Sequence, residues 1–471
     1  MNMSEYKPVV EWLCSLRRKA QELRSLLRLT PFDISNPEGR SKERYRRIAL
    51  TVLSSLAMRG VSMVTAIITT PLTLRYLGAD RFGLWMTISS ITALMSFADF
   101  GIGSGLLNAV SRADGQDNRG AAQKAVSSAF FLLALIAALL VVSFAVAYGW
   151  IPWRRVFNLS RAADAREASH AVAVLLACIA ASLPLGTVRR VQIGFQEGFE
   201  SNLWQAAANV ATVIGVVWAA LAEVSLPWLI LASSGIPVIV TLLNWLVQFG
   251  ARRRWLIPRA AHFDFAIGRS ILRAGGIFAV LQLVAFVGFF SDNFVITQIL
   301  GPGAVAPYAI MYKLFSAIFV VQFIITPLWP ALNEAIARGD HAQARHMFVR
   351  ATFICLGAGA VIASLLVGLG RPVVALWVGR HFVPQWSLLL GFGGWTLVAS
   401  YYAAIAALLS GTAFLLQQLK IFSLAAVISF CLKIVLVSLI GISGAIWASV
   451  IGYGGLVFWA RASARRALGQ P

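Results

Sequence analysis

The sequence predicts an all-α integral membrane protein with about twelve transmembrane helices, arranged as two six-helix lobes related by a parallel pseudo-repeat around a central cavity. Hydrophobic residues make up 59% of the 471 residues and charged residues only 13%. The mean hydropathy is +0.76. These values lie outside the usual range of soluble domains. Two other observations support the prediction: the basic residues are unevenly distributed along the chain, and the sequence contains an internal repeat.

Twelve apolar windows are long enough to cross a bilayer, which takes about 20 residues in a helix. They lie near residues 48–74, 84–110, 124–149, 170–188, 203–222, 226–249, 272–299, 304–331, 350–370, 385–410, 415–438 and 440–460. Very short turns separate the fifth from the sixth window and the eleventh from the twelfth, so the count can shift by one. The distribution of the basic residues favours an even number of spans.

The basic residues are concentrated on one side of the predicted membrane. Of the 40 Lys and Arg, 29 fall in the termini or after even-numbered spans and 8 after odd-numbered spans. This asymmetry predicts that both termini face the cytoplasm. The formal charge of +21 then favours contact with anionic membrane lipids.

Two segments outside the spans divide the chain. Residues 1–47 carry eleven basic residues, and their apolar positions recur at helical spacing, which predicts an amphipathic helix on the inner leaflet; a basic tail that only fixes topology is the alternative. Residues 250–271 form the longest predicted cytoplasmic linker. They separate an N-lobe at residues 48–249 from a C-lobe at residues 272–460, and residues 461–471 form a cytoplasmic tail.

An offset of 223 residues relates the two predicted lobes. It carries Leu77-Gly78 onto Leu300-Gly301 and the middle of the first span onto the middle of the seventh. Because six is an even number, both lobes enter the membrane in the same direction. The expected symmetry is therefore a rotation about the membrane normal, as in carriers with parallel repeats.

Two charges lie in the middle of the first two spans, where a charge costs about 2.5–3.5 kcal/mol or more. Arg59 and Asp99 have similar depths, so they can meet. Arg59 is interpreted as a ligand for an anionic headgroup, with Asp99 holding it or titrating; an internal salt bridge is the alternative. The repeat offset places Gln282 and Gln322 at the matching depth, either in the cavity or between helices.

Further polar residues lie nearer the ends of the spans. Asp292 and Lys313 have similar depths in the seventh and eighth spans, which predicts a pair that acts as a gate or as a structural contact. Lys433 is expected to reach the membrane surface with its long side chain. Arg189 and Arg190 are interpreted as topology anchors. The glycines of FGIGSG at residues 100–105 indicate close helix packing rather than a dinucleotide loop.

Several classes of protein are disfavoured. No connection exceeds about 25 residues, which is too short for a soluble catalytic or nucleotide-binding domain. The histidines show no metal-ligand spacing, and we expect no enzyme activity, metal or cofactor. A nucleic-acid partner is not expected, since the basic residues flank membrane spans.

Three stretches resemble a known family. They are the segment from Arg59-Gly60 to Pro71-Leu72, RYLGADRFGLW at residues 75–85 and ADFGIGSGLLN at residues 98–108. This region resembles the start of bacterial polysaccharide exporters, the O-antigen and exopolysaccharide repeat-unit flippases of the multidrug/oligosaccharidyl-lipid/polysaccharide exporter superfamily. ILGPGAVAPYAIMYKLF at residues 299–315 is similar to a second-lobe version of the same element. The basic arm departs from the usual short start.

The resemblance implies a carrier in the inner membrane of a bacterium. This carrier moves undecaprenyl-pyrophosphate-linked oligosaccharides to the periplasmic leaflet by alternating access, for the biosynthesis of O-antigen, capsule or exopolysaccharide. It implies Arg59 as the pyrophosphate ligand, and the polysaccharide polymerase and chain-length machinery as partners. Coupling to a proton or a sodium gradient is left open.

Two rival functions are open. A multidrug or organic-cation antiporter of the same superfamily would need carboxylates in its cavity, whereas the embedded set here has three cations and two anions. A membrane glycosyltransferase or polymerase would need a large loop with clustered acids, bases or metal ligands.

Overall fold

The described residues form helices of very different lengths, several of them longer than 20 residues. The computed structural model describes residues 30, 32–33, 37–94, 99–289, 291–319, 332, 334–336, 338–409 and 415–468. Helices and turns occur in these ranges, with no strand among them. Most of the predicted amphipathic arm and Gln322 lie outside the described residues.

The helices are numbered here in chain order. The N-lobe comprises α1 (Pro37–Ser90), α2 (Ile102–Gly115), α3 (Arg119–Ala147), α4 (Trp153–Val156), α5 (Ala162–Leu185), α6 (Thr187–Gly194), α7 (Gly198–Leu221), α8 (Leu226–Ile230) and α9 (Ile236–Trp245). The C-lobe comprises α10 (Phe265–Phe289), α11 (Asp292–Leu300), α12 (Val305–Phe315), α13 (His341–Trp377), α14 (Trp386–Leu409), α15 (Leu415–Ile440), α16 (Ser443–Gly454) and α17 (Val457–Ala467).

Nine helical segments of the described residues are long and apolar enough to cross a membrane. The predicted count of twelve stays a prediction, partly because one predicted span is broken. The predicted second span is not one continuous helix: residues 84–90 belong to α1, residues 91–94 form a 3-10 turn, and α2 begins at Ile102, directly after a turn at residues 99–101. Phe100 and Gly101 adopt positive φ angles of 46° and 75° in this turn, which ends the helical geometry.

The helix boundaries differ from the predicted ones at both ends of the chain. The first helix begins at Pro37, inside the predicted arm, and the last continues to Ala467, inside the predicted tail. Charge pairing explains the early start, because the Glu43 carboxylate accepts hydrogen bonds from Arg46 (2.7 Å), Arg47 (2.9 Å) and the Phe32 amide (3.0 Å). These interactions hold the pKa of Glu43 at about 2, chiefly through the Arg46 hydrogen bond.

Charged contacts collect at one end of the molecule, which we name the basic end. Arg47 donates to the carbonyl of Phe195 (3.1 Å), and Arg253 forms a two-pronged pair with Glu197 at 2.7 Å for both bonds. The Glu197 hydrogen bonds raise the pKa of Arg253. The opposite end, where Gly78 and Gly301 lie, is named the far end.

The internal repeat is visible in the backbone at the far end. Gly78 has φ 69° and ψ 175°, and Gly301 has φ 90° and ψ 164°. Residues with a Cβ rarely adopt this combination. Gly78 interrupts the helical geometry inside α1, and Gly301 separates α11 from the short helical turn at residues 302–304. Two glycines 223 positions apart therefore make the same turn, which confirms this part of the predicted repeat.

Candidate functional site and its polar clusters

The two lobes contact each other at the far end through the two matching turns. Each turn lies against the other so closely that neither has room for a larger residue. A Cβ added to Gly83 would lie 1.7 Å from the carbonyl oxygen of Pro302, and one added to Gly303 would lie 2.2 Å from a carboxylate oxygen of Asp80. The absence of side chains at these two glycines thus permits the contact.

Polar side chains extend this contact across the lobes. The hydroxyl oxygens of Thr87 on α1 and Thr297 on α11 are 2.6 Å apart and buried. Lys313 on α12 donates to the Thr70 hydroxyl of α1 at 3.0 Å. Its ammonium also lies 5.6 Å from the ring centre of Phe82, within the range of a cation–π attraction. We name these contacts, with the two glycine turns, the far-end seal.

A second polar cluster lies beside the break in the predicted second span. The Asp99 carboxylate forms an ion pair with Arg190 of α6 at 3.6 Å and accepts the Gly101 amide at 2.9 Å. Gly103 makes room for this pair, since a Cβ there would lie 2.6 Å from both side chains. The tight packing expected for the FGIGSG glycines is therefore observed at Gly103. This packing makes room for an ion pair, which the sequence did not indicate.

This cluster adjoins the C-lobe. Helix α10 packs against α2 and also contacts residues 91–94. The approach is close, because a Cβ at Gly105 would lie 2.6 Å from the carbonyl oxygen of Ile271. Arg190 keeps 38% of its side-chain surface exposed and Asp99 keeps 16%. The guanidinium is therefore the more accessible partner of the pair.

Arg59 lies on α1 with an exposed side chain. One turn away on either side, Ser55 and Ser62 accept hydrogen bonds from Asn202 and Asn209 of α7, both at 2.8 Å. The structure shows Asp99 paired with Arg190, a residue that the sequence assigned to topology, and the role of Arg59 as a ligand stays a prediction. Gln282 falls on α10, where its side chain is outside the described part, as is all of Gln322.

The third cluster is a buried ion pair inside the C-lobe. Asp292 contacts Lys433 of α15 and the Tyr308 hydroxyl of α12. The Lys433 side chain is 0% exposed, and its ammonium also donates to the carbonyl of Gly288 at 2.6 Å. Burial of a charge is expensive unless it is paired and hydrogen-bonded. These contacts satisfy that condition.

Two predictions for the C-lobe were therefore wrong. Asp292 pairs with Lys433 rather than with Lys313, and Lys433 is enclosed rather than reaching the membrane surface. Similar depth in the predicted membrane identified residues that could meet. The rotation of each helix about its own axis, however, determines which side chains come into contact. Lys313 points to the opposite lobe instead, into the far-end seal.

A cavity of about 360 Å³ adjoins this pair. Its wall combines the Asp292 carboxylate with aromatic side chains, including Tyr312, Phe392, Trp395 and Tyr402. The described residues contain no group of three or more His, Cys, Asp or Glu side chains placed to hold a metal ion. The lining supplies hydroxyl groups and aromatic faces around one carboxylate that is already paired.

The described helices have the fold of several solved membrane transporters. A solved inward-facing multidrug resistance MATE family transporter of the multidrug/oligosaccharidyl-lipid/polysaccharide exporter superfamily superposes with a TM-score of 0.76 at 13% identity, over 88% of this chain and 98% of the other. A solved outward-facing conformation of such a transporter gives a TM-score of 0.63 at 14% identity, over 90% and 96%.

Sequence comparison gives the family. The family described as polysaccharide biosynthesis protein matches residues 48–336, which is more than half of the chain. This chain is also 22% identical to a putative O-antigen transporter of Salmonella typhimurium, over 81% of this chain and 88% of the relative. The protein belongs to the polysaccharide biosynthesis protein family, and its family resemblance and fold class are those that the sequence predicted.

Proposed function

We propose that this transporter is a flippase, which moves undecaprenyl-pyrophosphate-linked oligosaccharide repeat units from the cytoplasmic to the periplasmic leaflet for the synthesis of O-antigen, capsule or exopolysaccharide. The observation that carries the proposal is the charge balance of the polar clusters. Asp99 is paired with Arg190, and Asp292 with Lys433. Both carboxylates are thus paired with a basic residue, whereas the Arg190 side chain stays more exposed than that of its partner Asp99 and the Arg59 side chain is exposed.

An exposed guanidinium suits a diphosphate. Its planar set of N–H donors matches two phosphate oxygens at once, and the charge persists at any physiological pH. Arg59 and Arg190 are therefore assigned to the diphosphate of the substrate. An organic cation would need an uncompensated carboxylate, and the pairing of Asp99 and Asp292 argues against the antiporter alternative.

The conformational cycle is assigned from the far-end seal. The lobes touch at the far end through the seal, and the charge asymmetry predicts that this end faces the periplasm. The present state would then take substrate from the cytoplasmic side, and opening of the seal would release it. Reporter fusions after residues 262 and 471 should report cytoplasm, whereas fusions near residues 160 and 302 should report periplasm.

The function is tested in a bacterial strain that lacks its own repeat-unit flippase and makes the matching lipid-linked oligosaccharide. Wild-type protein should expose the sugar to a membrane-impermeant lectin on spheroplasts. Arg59→Ala and Arg190→Ala should abolish labelling at unchanged membrane levels, while Arg59→Lys should retain part of it. Arg112→Ala, an exposed arginine near the end of α2, is the control and should label as wild type.

The antiporter alternative makes the opposite prediction. Ethidium efflux by the wild-type protein, combined with no lectin labelling above the empty vector, would contradict the flippase proposal. Labelling that is unchanged in both alanine variants would leave a flippase but refute the assignment of these two arginines to the diphosphate. The two measurements use the same cells, so protein levels are directly comparable.

A further inference from the structure

A groove at the basic end of the C-lobe lies apart from the polar clusters described above. Helices α13 and α17 both pack on α14, and the groove between them has a volume of about 680 Å³. Tyr401 of α14 lines it between the two walls. We name this the arginine groove, after Arg345 on α13 and Arg461 and Arg465 on α17.

The charge of the arginine groove has one sign. Its three arginines are exposed, and no aspartate or glutamate occurs among the described residues that line it. Arg461 and Arg465 are four positions apart on one helix, a spacing that places like charges side by side and destabilises the helix slightly. A bound anion would relieve this repulsion. The groove is therefore complementary to an anionic group.

The rest of the wall is apolar. Phe353 on α13 is 72% exposed and Phe458 on α17 is 81% exposed. Both residues belong to segments long and apolar enough to span a membrane. Large aromatic side chains with this exposure need an apolar medium over them. The groove thus combines three cations with two uncovered rings, which is the chemical pattern of an amphiphile with an anionic head.

We propose that the arginine groove binds an anionic phospholipid of the surrounding bilayer, with its phosphate against the three arginines and its acyl chains along Phe353 and Phe458. Basic pockets between transmembrane helices recognise anionic headgroups in this way. The basic N-terminal arm is a poor occupant, because it carries the same sign of charge. This site is independent of the transported substrate, so it does not rest on the proposed function.

Native mass spectrometry of the full-length protein in mild detergent tests the site. Titration with dioleoyl phosphatidylglycerol should show one preferred lipid, bound at least ten-fold more tightly than dioleoyl phosphatidylcholine. The double substitution Arg461→Gln with Arg465→Gln should weaken that binding about 25-fold, on the basis of about five-fold per basic residue near a membrane surface. Arg461→Lys with Arg465→Lys should retain most of it.

Matched variants separate a lipid site from a simple anion site. Phe458→Ala should weaken phosphatidylglycerol binding several-fold, since it removes the acyl contact and keeps all three charges. Arg371→Gln is the control, because Arg371 lies at the other end of α13 and contacts Trp386. This control should bind the lipid as wild type. Each variant is compared only as a monodisperse peak in size-exclusion chromatography.

Three results would overturn the proposal. Displacement of the lipid by an equal concentration of inorganic phosphate would show an anion site without lipid selectivity. Retention of an isoprenoid diphosphate instead of a glycerophospholipid after purification would assign the groove to the transported substrate. Unchanged phosphatidylglycerol binding in the monodisperse double glutamine variant would show that the arginines do not hold the headgroup.

Discussion

Replacing Gly83 by alanine tests whether the far-end seal opens during transport. The added Cβ would lie 1.7 Å from the carbonyl oxygen of Pro302, whereas ordinary contact begins at 3.4 Å. The two turns therefore have to separate by about 1.7 Å. That displacement would break the hydrogen bond between the hydroxyl groups of Thr87 and Thr297, whose oxygens are 2.6 Å apart. The substitution should therefore destabilise the closed seal.

The cost follows from the contacts that the separation breaks. Two hydrogen bonds cross the lobes here, one between Thr87 and Thr297 and one from Lys313 to Thr70, and each contributes about 1 kcal/mol. Overpacking adds about 1 kcal/mol or more. A total of about 3 kcal/mol shifts the balance between closed and open seal by more than a hundred-fold, since about 1.4 kcal/mol is a factor of ten.

Disulfide trapping measures this balance. Thr87→Cys and Thr297→Cys are introduced into a cysteine-free chain, where the sulfur atoms should meet because the native hydroxyl oxygens are in contact. Oxidation should cross-link the parent protein rapidly and block transport. The cysteine pair already removes the Thr87–Thr297 hydrogen bond, so about 2 kcal/mol of the cost applies in this background. Addition of Gly83→Ala should therefore slow cross-linking by at least ten-fold and leave a monodisperse protein.

A control and a refuting result complete the test. Gly357→Ala is the control, because a Cβ at Gly357 meets no atom within 4 Å, and it should cross-link as the parent does. If Gly83→Ala cross-links at the parent rate, the turns accommodate the methyl group without separation. The reasoning that links lobe separation to this glycine would then be refuted.

Three further predictions concern the charged residues. Lys433→Met should lower the free energy of unfolding by about 3–5 kcal/mol because it leaves Asp292 buried and unpaired. Adding Asp292→Asn to the same chain should restore most of the thermal stability in detergent. No recovery would contradict the pairing. Asp99→Asn should lower the free energy of unfolding by less than about 1 kcal/mol, since its partner Arg190 is well exposed. The same substitution should reduce lectin labelling. A large loss of thermal stability would contradict this prediction. Glu43→Gln should lower the free energy of unfolding by about 1.5–3 kcal/mol at pH 7. The difference in stability between wild type and variant should shrink as the pH falls from 4.5 towards about 2, the folded pKa of Glu43. A stability difference that grows on acidification would refute the assignment.

The sign of the pH effect at Glu43 follows from the direction of its shift. Its pKa is lowered from 4.5 to about 2 in the folded chain. A carboxyl group of lowered pKa stabilises the folded state fully above its unfolded pKa and loses that contribution as the pH falls through the folded value. The Arg46 and Arg47 contacts are therefore intact throughout the physiological range.

The sequence by itself determined the class of protein, the direction of the repeat and the approximate helix positions. Hydrophobic composition and helix length depend on the identity and order of residues along the chain, because the bilayer acts on every apolar stretch separately. The match of Gly78 with Gly301 was also accessible, since both turns need the same backbone conformation. The family resemblance at residues 48–125 lies within residues 48–336, which match the polysaccharide biosynthesis protein family.

Only the tertiary structure decided which charges meet. Depth along a helix can be counted from the sequence, but each side chain also points in one of several directions around its helix, and that direction depends on packing. Asp292 thus contacts Lys433, Asp99 contacts Arg190, and Lys313 crosses to the other lobe. The break beside Asp99 escaped prediction for a similar reason, because an apolar run does not record where tertiary contacts interrupt it.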